Sequence, residues 1–222
     1  MNIVTIGLGN FGASLAKILT AMGHDVLGVD KNDEKVEFFK DTITNTIRLD
    51  ATDPHALRML PLKEADAFVV CIGDDFGVSV MIAALLGKLG VKQVLCRESS
   101  SIHMTVLNSL GITKTINPEY EWAKILAQKL ALPGVENLFN VSDNLKIIDL
   151  KVPKEYVDEA VSPQAFKENT HLELVALKRN EKIIYSTSRL SDTQDSKEIV
   201  FAENDILVLA GEIKDIRRFL KV

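Results

Sequence analysis

The feature that most constrains this chain is a glycine string near its N-terminus, Gly7-Leu8-Gly9-Asn10-Phe11-Gly12, which stands between a short apolar run and an amphipathic segment. In such a turn the first glycine permits a tight bend, the second lets a pyrophosphate approach the backbone, and the third lets the helix pack close to the strand. The free amides and dipole of the helix N-terminus attract phosphate groups. The string therefore predicts a strand–turn–helix unit that binds a nucleotide. The alternative, a glycine-rich turn without a ligand, is disfavoured because a strand and a helix flank the string.

The rest of the N-terminal part alternates short apolar runs with amphipathic helical patterns. Several runs are nearly continuous in valine, isoleucine and leucine, which is typical of strands buried on both faces. Asp53-Pro54 and Asn117-Pro118 mark helix starts, and Gly23 and Gly90 stand where helices should end. The pattern predicts an α/β fold with a Rossmann-like, doubly wound parallel sheet. Its six strands are expected at residues 2–6, 26–29, 46–49, 67–72, 94–96 and 114–116.

A second pattern begins after residue 132, where Pro133-Gly134 breaks the last helix. We interpret residues 1–132 as a nucleotide-binding domain, residues 133–144 as a linker and residues 145–222 as a small α+β domain. Strands are expected at residues 145–152, 172–177, 183–185 and 206–210, and a polar loop at residues 187–197. Turns are expected at residues 180–182 and 203–205, and Gly211 is expected to lead into a closing helix.

Composition and charge exclude several classes of protein. The net charge is −5, so the chain has no long-range attraction to nucleic acid or to an anionic membrane. No run of 18 or more apolar residues is present, and we expect no signal peptide because no basic and apolar segment precedes the first strand. Cys71 and Cys96 are isolated and indicate no disulfide framework. We therefore expect a cytoplasmic protein without direct membrane insertion, which reaches a membrane only through a partner.

Acidic side chains follow two of the predicted strands. Asp30 ends the second strand, 23 residues after Gly7, where a carboxylate accepts hydrogen bonds from an adenosine ribose and disfavours a 2′-phosphate. The alternative role for Asp30 is to cap the next helix. Asp50-Ala51-Thr52, after the third strand, either borders the adenine or forms a plain loop before a helix capped by Asp53.

Two more segments are expected at the same edge of the sheet. Ile72-Gly73 ends the fourth strand, and its glycine permits close approach to a ligand, while Asp74 or Asp75 is a candidate helix cap. Arg97 follows the fifth strand and either reaches a phosphate or forms an ion pair with Glu98. The residues expected to contact the nucleotide are thus Gly7, Gly9, Asn10, Phe11, Gly12, Asp30, Lys31, Asp50, Ala51, Thr52, Ile72, Gly73 and Arg97.

Groups suited to catalysis are poorly represented. A hydride-transferring enzyme needs a general acid or base beside the nicotinamide. None of the four histidines has a possible catalytic partner at a characteristic spacing in the sequence; they are His24, His55, His103 and His171. Tyr120 and Lys124 share one helix face, but such a pair is common on helix surfaces. Cys71 and Cys96 lie near strand ends and either face the cleft or are buried. An NAD-dependent oxidoreductase therefore remains an alternative function, with no enzymatic activity as the favoured one.

Taken in order, several motifs resemble the RCK family, the regulators of potassium conductance. They are the glycine string, Val29-Asp30, Asp50-Ala51-Thr52, Ile72-Gly73, Asn117-Pro118-Glu119 and, in the C-terminal part, residues 174–179 and 203–211. The similarity is strongest to the cytosolic regulatory subunits of bacterial Ktr and Trk potassium-uptake systems. It implies a regulatory subunit that gates an integral membrane potassium channel or transporter, assembled as a homodimer or an octameric ring.

The resemblance also implies ligands. Family members bind ATP, ADP or NAD(H) at the glycine turn, and the acid that matches Glu119 helps to bind a divalent cation between subunits. The alternative role of Glu119 is a first-turn acid favoured by the helix dipole. Many Ktr-type members carry arginine where this chain has Asn10, which makes NAD(H), AMP or ADP more credible relative to ATP. A cyclic-dinucleotide receptor is a further alternative, with Ile183, Ile184 and Arg189 as conceivable wall residues.

Overall fold

A computed structural model describes residues 1–187 and 198–222. The chain divides into two compact units, residues 1–120 and residues 121–222. Arg189 and most of the expected polar loop at residues 187–197 lie outside the described residues. Among the described helices, none is long and apolar enough to cross a membrane.

The first unit is built around a six-stranded parallel sheet with the order β3-β2-β1-β4-β5-β6. The order reverses at β1, which pairs with β2 on one side and β4 on the other. The predicted Rossmann-like fold is confirmed. Its elements are β1 (Asn2–Ile6), α1 (Asn10–Ala21), β2 (Asp25–Asp30), α2 (Asp33–Phe39), β3 (Asn45–Arg48), α3 (Pro54–Leu57), β4 (Ala67–Val70), α4 (Phe76–Lys88), β5 (Val94–Arg97), α5 (Ser101–Ser109), β6 (Lys114–Ile116) and α6 (Pro118–Ala131), which continues into the second unit.

The burial of the strands on both faces of the sheet explains why the sequence alone predicts them. All four residues of β4 are buried, and Val4, Ile6 and Val29 from β1 and β2 are also buried in the core. Because helices cover both faces of the sheet, side chains of both orientations must be apolar. At the point where the strand order reverses, the connections that follow β1 and β4 lead to opposite faces of the sheet and leave a crevice, which is where α/β sheets bind ligands.

The second unit contains a five-stranded antiparallel sheet with the order β11-β10-β13-β8-β7. Its hydrophobic core includes Leu150, Phe166, Phe201 and Phe219. The predicted small α+β domain is thereby confirmed. After α6, its elements are β7 (Val135–Asn140), β8 (Leu145–Lys151), a 3-10 turn (Lys154–Tyr156), β9 (Ala160–Val161), α7 (Pro163–Thr170), β10 (Glu173–Arg179), β11 (Lys182–Ser186), β12 (Ile199–Val200), β13 (Ile206–Glu212) and α8 (Ile213–Leu220).

The segment expected to be a linker, residues 133–144, is wrongly assigned. Residues 135–140 form β7, which pairs antiparallel with β8 at the edge of the sheet. Only Val135 of β7 is fully buried, so the strand lacks the alternating apolar pattern that would reveal it. The boundary also falls earlier than residue 132, because Leu132 and Val135 pack in the core of the second unit.

Candidate functional site

The glycine string forms the turn between β1 and α1. Gly7 has a φ of +97°, a conformation that suits glycine, and its amide donates to the carbonyl of Val29 at 2.7 Å. A Cβ on Gly12 would overlap the carbonyl oxygen of Gly7 and lie 2.8 Å from Cβ of Cys71. A Cβ on Gly9 would meet none of the described atoms within 4 Å. The backbone conformation at Gly7 and the packing at Gly12 therefore require glycine, whereas Gly9 faces open space.

Asp30 lies at the end of β2 and braces the glycine turn. Its Oδ2 accepts a hydrogen bond from the amide of Leu8 at 2.7 Å, and its Oδ1 accepts one from the amide of Asn32 at 2.9 Å. The Nζ of Lys35 lies 3.7 Å from Oδ2. The cap of α2 is Asn32, whose side chain accepts from the amide of Lys35. Asp30 therefore assists the cap of α2 by accepting from the amide of Asn32, while the N-cap residue itself is Asn32.

Asp50 fixes the turn after β3. Its Oδ1 accepts from the hydroxyl of Thr52 at 2.7 Å and from the amide of Thr52 at 2.9 Å. These two hydrogen bonds hold the pKa of Asp50 below its ordinary value. Asp53 caps α3 by accepting from the amide of His55. Asp50 therefore stays ionised at neutral pH, with its carboxylate oriented by Thr52.

Arg97 projects from the end of β5 and packs against three other segments. It forms an ion pair with Glu119 in the first turn of α6. Its guanidinium carbon lies 6.0 Å from the ring centre of Phe11, and a Cβ on Gly73 would overlap the guanidinium. The expected ion-pair alternative, Glu98, is wrong because the partner is Glu119. Asp75, as expected of one of the two aspartates, caps α4 through the amide of Val78.

These segments enclose a cavity of about 700 Å³ at the carboxyl edge of the sheet. A volume of this size suits a nucleotide-sized ligand. Every residue expected to contact the nucleotide lines the cavity except Gly12, which is buried against Gly7. The further lining residues are Ile6, Ser14, Val29, Lys35, Leu49, Cys71, Asp74, Asp75, Val78, Ile82 and Glu119. Most of these residues belong to no sequence motif that indicates binding. They lie at the crevice only because the order of the strands brings their elements together.

The two cysteines are buried, and Cys71 also lines the cavity. Burial raises the pKa of both thiols to about 12. The thiolate is the reactive species, so both thiols are expected to be inert near neutral pH.

This expectation is checked with a thiol-specific chromogenic reagent at pH 8. The folded protein should react slowly if at all, and both thiols should react at once after addition of denaturant. As an internal reference, free cysteine at the same concentration should react within seconds. Rapid labelling of a full equivalent in the folded protein would contradict the predicted protection.

A metal site within one chain is not supported. Among the described residues, no group of three or more histidine, cysteine and acidic side chains is arranged to hold an ion. Glu119 is paired with Arg97, and the guanidinium charge opposes a cation at the same carboxylate. The described residues of one chain thus form no metal cluster, and the cation expected between subunits stays a prediction.

The four histidines, Tyr120 and Lys124 are not among the residues that line the cavity. Tyr120 is exposed and is not among the residues that line the cavity. His103 is buried in α5, where its Nδ1 lies 3.3 Å from the hydroxyl of Ser99 and its ring contacts Phe76. Burial lowers the pKa of His103, so the ring is neutral near pH 7. Neither residue is placed to exchange a proton with a ligand in the cavity.

The parallel sheet, the glycine turn and the crevice beside Asp30 define a Rossmann-type domain joined to a smaller antiparallel domain. Residues 3–118 match the TrkA-N domain model, which is more than half of the chain. The chain therefore belongs to the TrkA-N family.

Relatives extend the similarity beyond this domain. The chain is 29% identical over 214 residues to the Ktr system potassium uptake protein A of Bacillus subtilis, with 96% of this chain and 93% of the relative covered. It is 26% identical over 216 residues to the Ktr system potassium uptake protein C of the same organism, with 97% and 94% covered. The match thus includes both units of the chain.

Solved structures confirm the fold that the sequence resemblance implied. The GsuK RCK domain superposes with a TM-score of 0.64 at 16% identity, covering 99% of this chain and 47% of that one. The GsuK channel bound to NAD gives 0.63 at 16% identity, with 99% and 39% covered. This chain thus spans less than half the length of either GsuK chain. The NAD(P)-binding domain of an exopolyphosphatase-related protein from Archaeoglobus fulgidus gives 0.52 at 26% identity, with 58% and 96% covered. The RCK fold is therefore confirmed.

Proposed function

We propose that this protein is a nucleotide-binding regulatory subunit of a bacterial-type potassium-uptake system. It acts at the cytoplasmic face of the membrane, bound to an integral membrane transporter subunit, and catalyses no reaction. The observation that carries the proposal is the cavity beside the glycine turn, lined by Asp30, Asp50 and Arg97, in a chain that matches Ktr system proteins over nearly its whole length.

The proposed ligand is an adenine nucleotide, and NAD(H), AMP and ADP are favoured over ATP. The helix N-terminus at Gly9 and Asn10 has free amides suited to phosphates, and Asp30 lines the cavity as expected of a residue that accepts from the ribose. Each Asp30 oxygen already accepts one backbone hydrogen bond and retains a further lone pair for a ribose hydroxyl. Asn10 carries no charge for a third phosphate. NAD in a GsuK structure of the same fold supports the dinucleotide as a candidate.

The proposed mechanism is a ligand-dependent rearrangement of a homodimer or a larger ring. A nucleotide shifts such an arrangement only by its differential affinity for the two states. Subunit contacts are assigned to α5 and α6. On α6, Trp122, Leu126 and Leu130 recur every four residues and are exposed, which is expected of a helix face that a second subunit covers.

The first experiment measures binding to the purified full chain by isothermal titration calorimetry. NAD, NADH, AMP, ADP and ATP are titrated separately, after the protein has been unfolded, stripped of bound nucleotide and refolded. At least one should bind with micromolar or tighter affinity. Mass spectrometry of the extract identifies the nucleotide that co-purifies. If none of the five binds to the refolded protein, the proposed function fails.

The second experiment tests the membrane partner. A Ktr-type membrane subunit is reconstituted into vesicles loaded with potassium, and potassium efflux is recorded with and without this protein and each nucleotide. The proposal expects the flux to depend on both the protein and the nucleotide. A flux that is the same under all conditions, with binding of the two subunits confirmed by co-purification, would contradict a regulatory role.

Replacing Gly9 with alanine is expected to lower nucleotide affinity by roughly tenfold or more without loss of stability. Gly9 lines the cavity and has φ −75° and ψ −173°, which alanine adopts freely, and a Cβ there would meet none of the described atoms within 4 Å. Only a phosphate close to the backbone would meet that Cβ.

Calorimetry gives the affinity and urea denaturation gives the stability of the Gly9→Ala variant. The matched control is Gly87→Ala in α4, where a Cβ also meets none of the described atoms within 4 Å and which is not a cavity-lining residue. The control should bind as the original protein does. Unchanged affinity in Gly9→Ala would show that the phosphates do not approach this turn.

A further inference from the structure

Arg97 is held at the cavity by contacts from three separate segments. Phe11 of the glycine turn, Gly73 after β4 and Glu119 in α6 surround the guanidinium. The Arg97 side chain is 19% exposed, and its Nε is buried without a hydrogen-bond partner among the described residues. Buried N–H donors are normally satisfied, so the guanidinium is incompletely paired within the described residues. The guanidinium is thus positioned in advance and has unused hydrogen-bonding capacity.

Glu119 differs from Arg97 in its environment. The Glu119 side chain is 63% exposed although it also lines the cavity, and it is the second residue of α6. An ion pair with one exposed partner contributes little to stability, because water and salt screen it. A phosphate competes well for the same guanidinium, because two or more of its oxygens accept from the guanidinium fork. Glu119 is therefore an exchangeable partner of Arg97, and a ligand phosphate is a stronger one.

We infer that the Arg97–Glu119 pair sets how strongly the site discriminates between nucleotides by the charge of their phosphates. Before binding, Glu119 neutralises Arg97. A phosphate that binds Nη2 of Arg97 displaces the Glu119 carboxylate, which then stands as a negative charge beside the ligand. This inference deepens the proposed function and rests on it, because it assumes that a nucleotide occupies the cavity.

Arg97 supplies a positive charge that Asn10 lacks, and it does so from another part of the cavity. Asn10 begins α1 on one side of the cavity, whereas Arg97 ends β5 on the other side of β4. A cation at Arg97 attracts each added phosphate, and the carboxylate at Glu119 repels it. The net preference among AMP, ADP and ATP therefore reflects the balance of two opposite charges within the same chain.

The experiment measures the dissociation constants of AMP, ADP and ATP by calorimetry for the full chain and for four variants. Glu119→Gln removes the carboxylate charge and keeps the shape of the side chain. Arg97→Gln removes the cation, and the third variant combines both changes. Glu121→Gln is the control, because Glu121 is an exposed acid two residues further along α6 and is not a cavity-lining residue. All titrations contain a chelator, so that no divalent cation contributes.

Glu119→Gln is expected to tighten ADP binding by about three- to tenfold, with a larger gain for ATP and a smaller one for AMP. Arg97→Gln should weaken ADP binding by about 10- to 100-fold. It should also reduce the differences in affinity among AMP, ADP and ATP. The double variant should bind ADP only slightly more tightly than Arg97→Gln, because in Arg97→Gln Glu119 still repels the phosphates but has no guanidinium to occupy. Glu121→Gln should leave all three constants unchanged.

Unchanged or weaker binding in Glu119→Gln without divalent cation would overturn the inference, since a carboxylate that only recruits a cation gives that result. A gain of the same size in the Arg97→Gln background would overturn it too, because the effect would not pass through Arg97. Arg97→Lys separates charge from folding: it should retain part of the ADP affinity and a normal unfolding transition. If the unaltered protein binds no nucleotide, the proposed function fails, whereas binding with unaffected variants contradicts this inference alone.

Discussion

Replacing Gly12 with alanine is expected to lower the free energy of unfolding by about 3 kcal/mol and to abolish nucleotide binding. The added Cβ would overlap the carbonyl oxygen of Gly7 and press on Cβ of Cys71 at 2.8 Å. Both neighbours are parts of the backbone or of a side chain rooted in the buried sheet, so neither can rotate away. Relief requires α1 to move outward from β1, which separates the helix N-terminus from the cavity.

The test compares three glycine variants by urea denaturation and calorimetry. Gly12→Ala should lose both stability and affinity, and Gly9→Ala should lose affinity alone. Gly87→Ala should keep its affinity and gain up to about 1 kcal/mol of stability, because alanine is the better helix former in α4. Normal stability in Gly12→Ala would show that α1 is not packed on β1 as closely as the structure has it.

The sheet of the first unit could be predicted from sequence because both of its faces are buried. Buried parallel strands such as β4 are nearly pure apolar runs, and Asp53-Pro54 and Gly23 mark helix ends by local chemistry that acts wherever the chain folds. The observed strand ends differ from the predicted ones by one or two residues. For example, β4 ends at Val70 rather than at residue 72.

The second unit was less readable because its elements depend on partners distant in sequence. Strand β7 has one fully buried residue and exists through its pairing with β8. Gly211, expected to follow the last strand, lies within β13, where a Cβ would overlap the side chain of Leu172. Neither the exposed edge strand nor the close approach at Gly211 leaves a periodic signal in its own segment.

The candidate site shows the same division between local and distant information. The glycine turn and Asp30 were identifiable because their spacing is fixed within one strand–turn–helix–strand unit. The partner of Arg97 was not, because Glu119 and Arg97 meet across β5 and α6 and are 22 residues apart. Sequence proximity favoured Glu98, the neighbouring residue on the chain. The pairing of Arg97 with Glu119 at the cavity therefore depends on the fold and is not encoded in any single sequence motif.

The largest electrostatic effect is expected in the second unit, at Asp205 between β12 and β13. Asp205 is fully buried and accepts from Nε and Nη2 of Arg179 at 2.8 and 2.7 Å, and from the amide of Ala202 at 2.8 Å. Asp205→Ala is expected to lower the free energy of unfolding of this unit by about 3 kcal/mol, because the buried amide and the guanidinium lose their acceptor. Asp205→Asn keeps one acceptor oxygen and should cost about 2 kcal/mol.

The pKa of Asp205 determines how its contribution to stability changes with pH. Burial raises the pKa of Asp205, but the hydrogen bonds from Arg179 and Ala202 lower it by more, so the pKa in the folded protein lies below the ordinary value. A lowered carboxyl pKa contributes stability that is fully present above the unfolded pKa of about 4 and is lost as the pH falls through the folded pKa. The difference between the original protein and Asp205→Asn should thus be constant from pH 5 to about pH 8 and shrink below pH 4.

Hydrogen exchange of the amides in β10 and β13 reports the stability of this unit without interference from the first. The control is Glu203→Gln, an exposed acid in the same turn, which should leave the exchange rates unchanged at every pH. Because Arg179 is partly exposed, its charge is hydrated when Asp205 is absent, and the loss is expected to stay near 3 kcal/mol rather than reach the larger cost of a wholly buried pair. A loss below about 1 kcal/mol for Asp205→Ala at pH 7 would show that the paired hydrogen bonds merely replace water, and that β10 and β13 are held together by their apolar contacts alone.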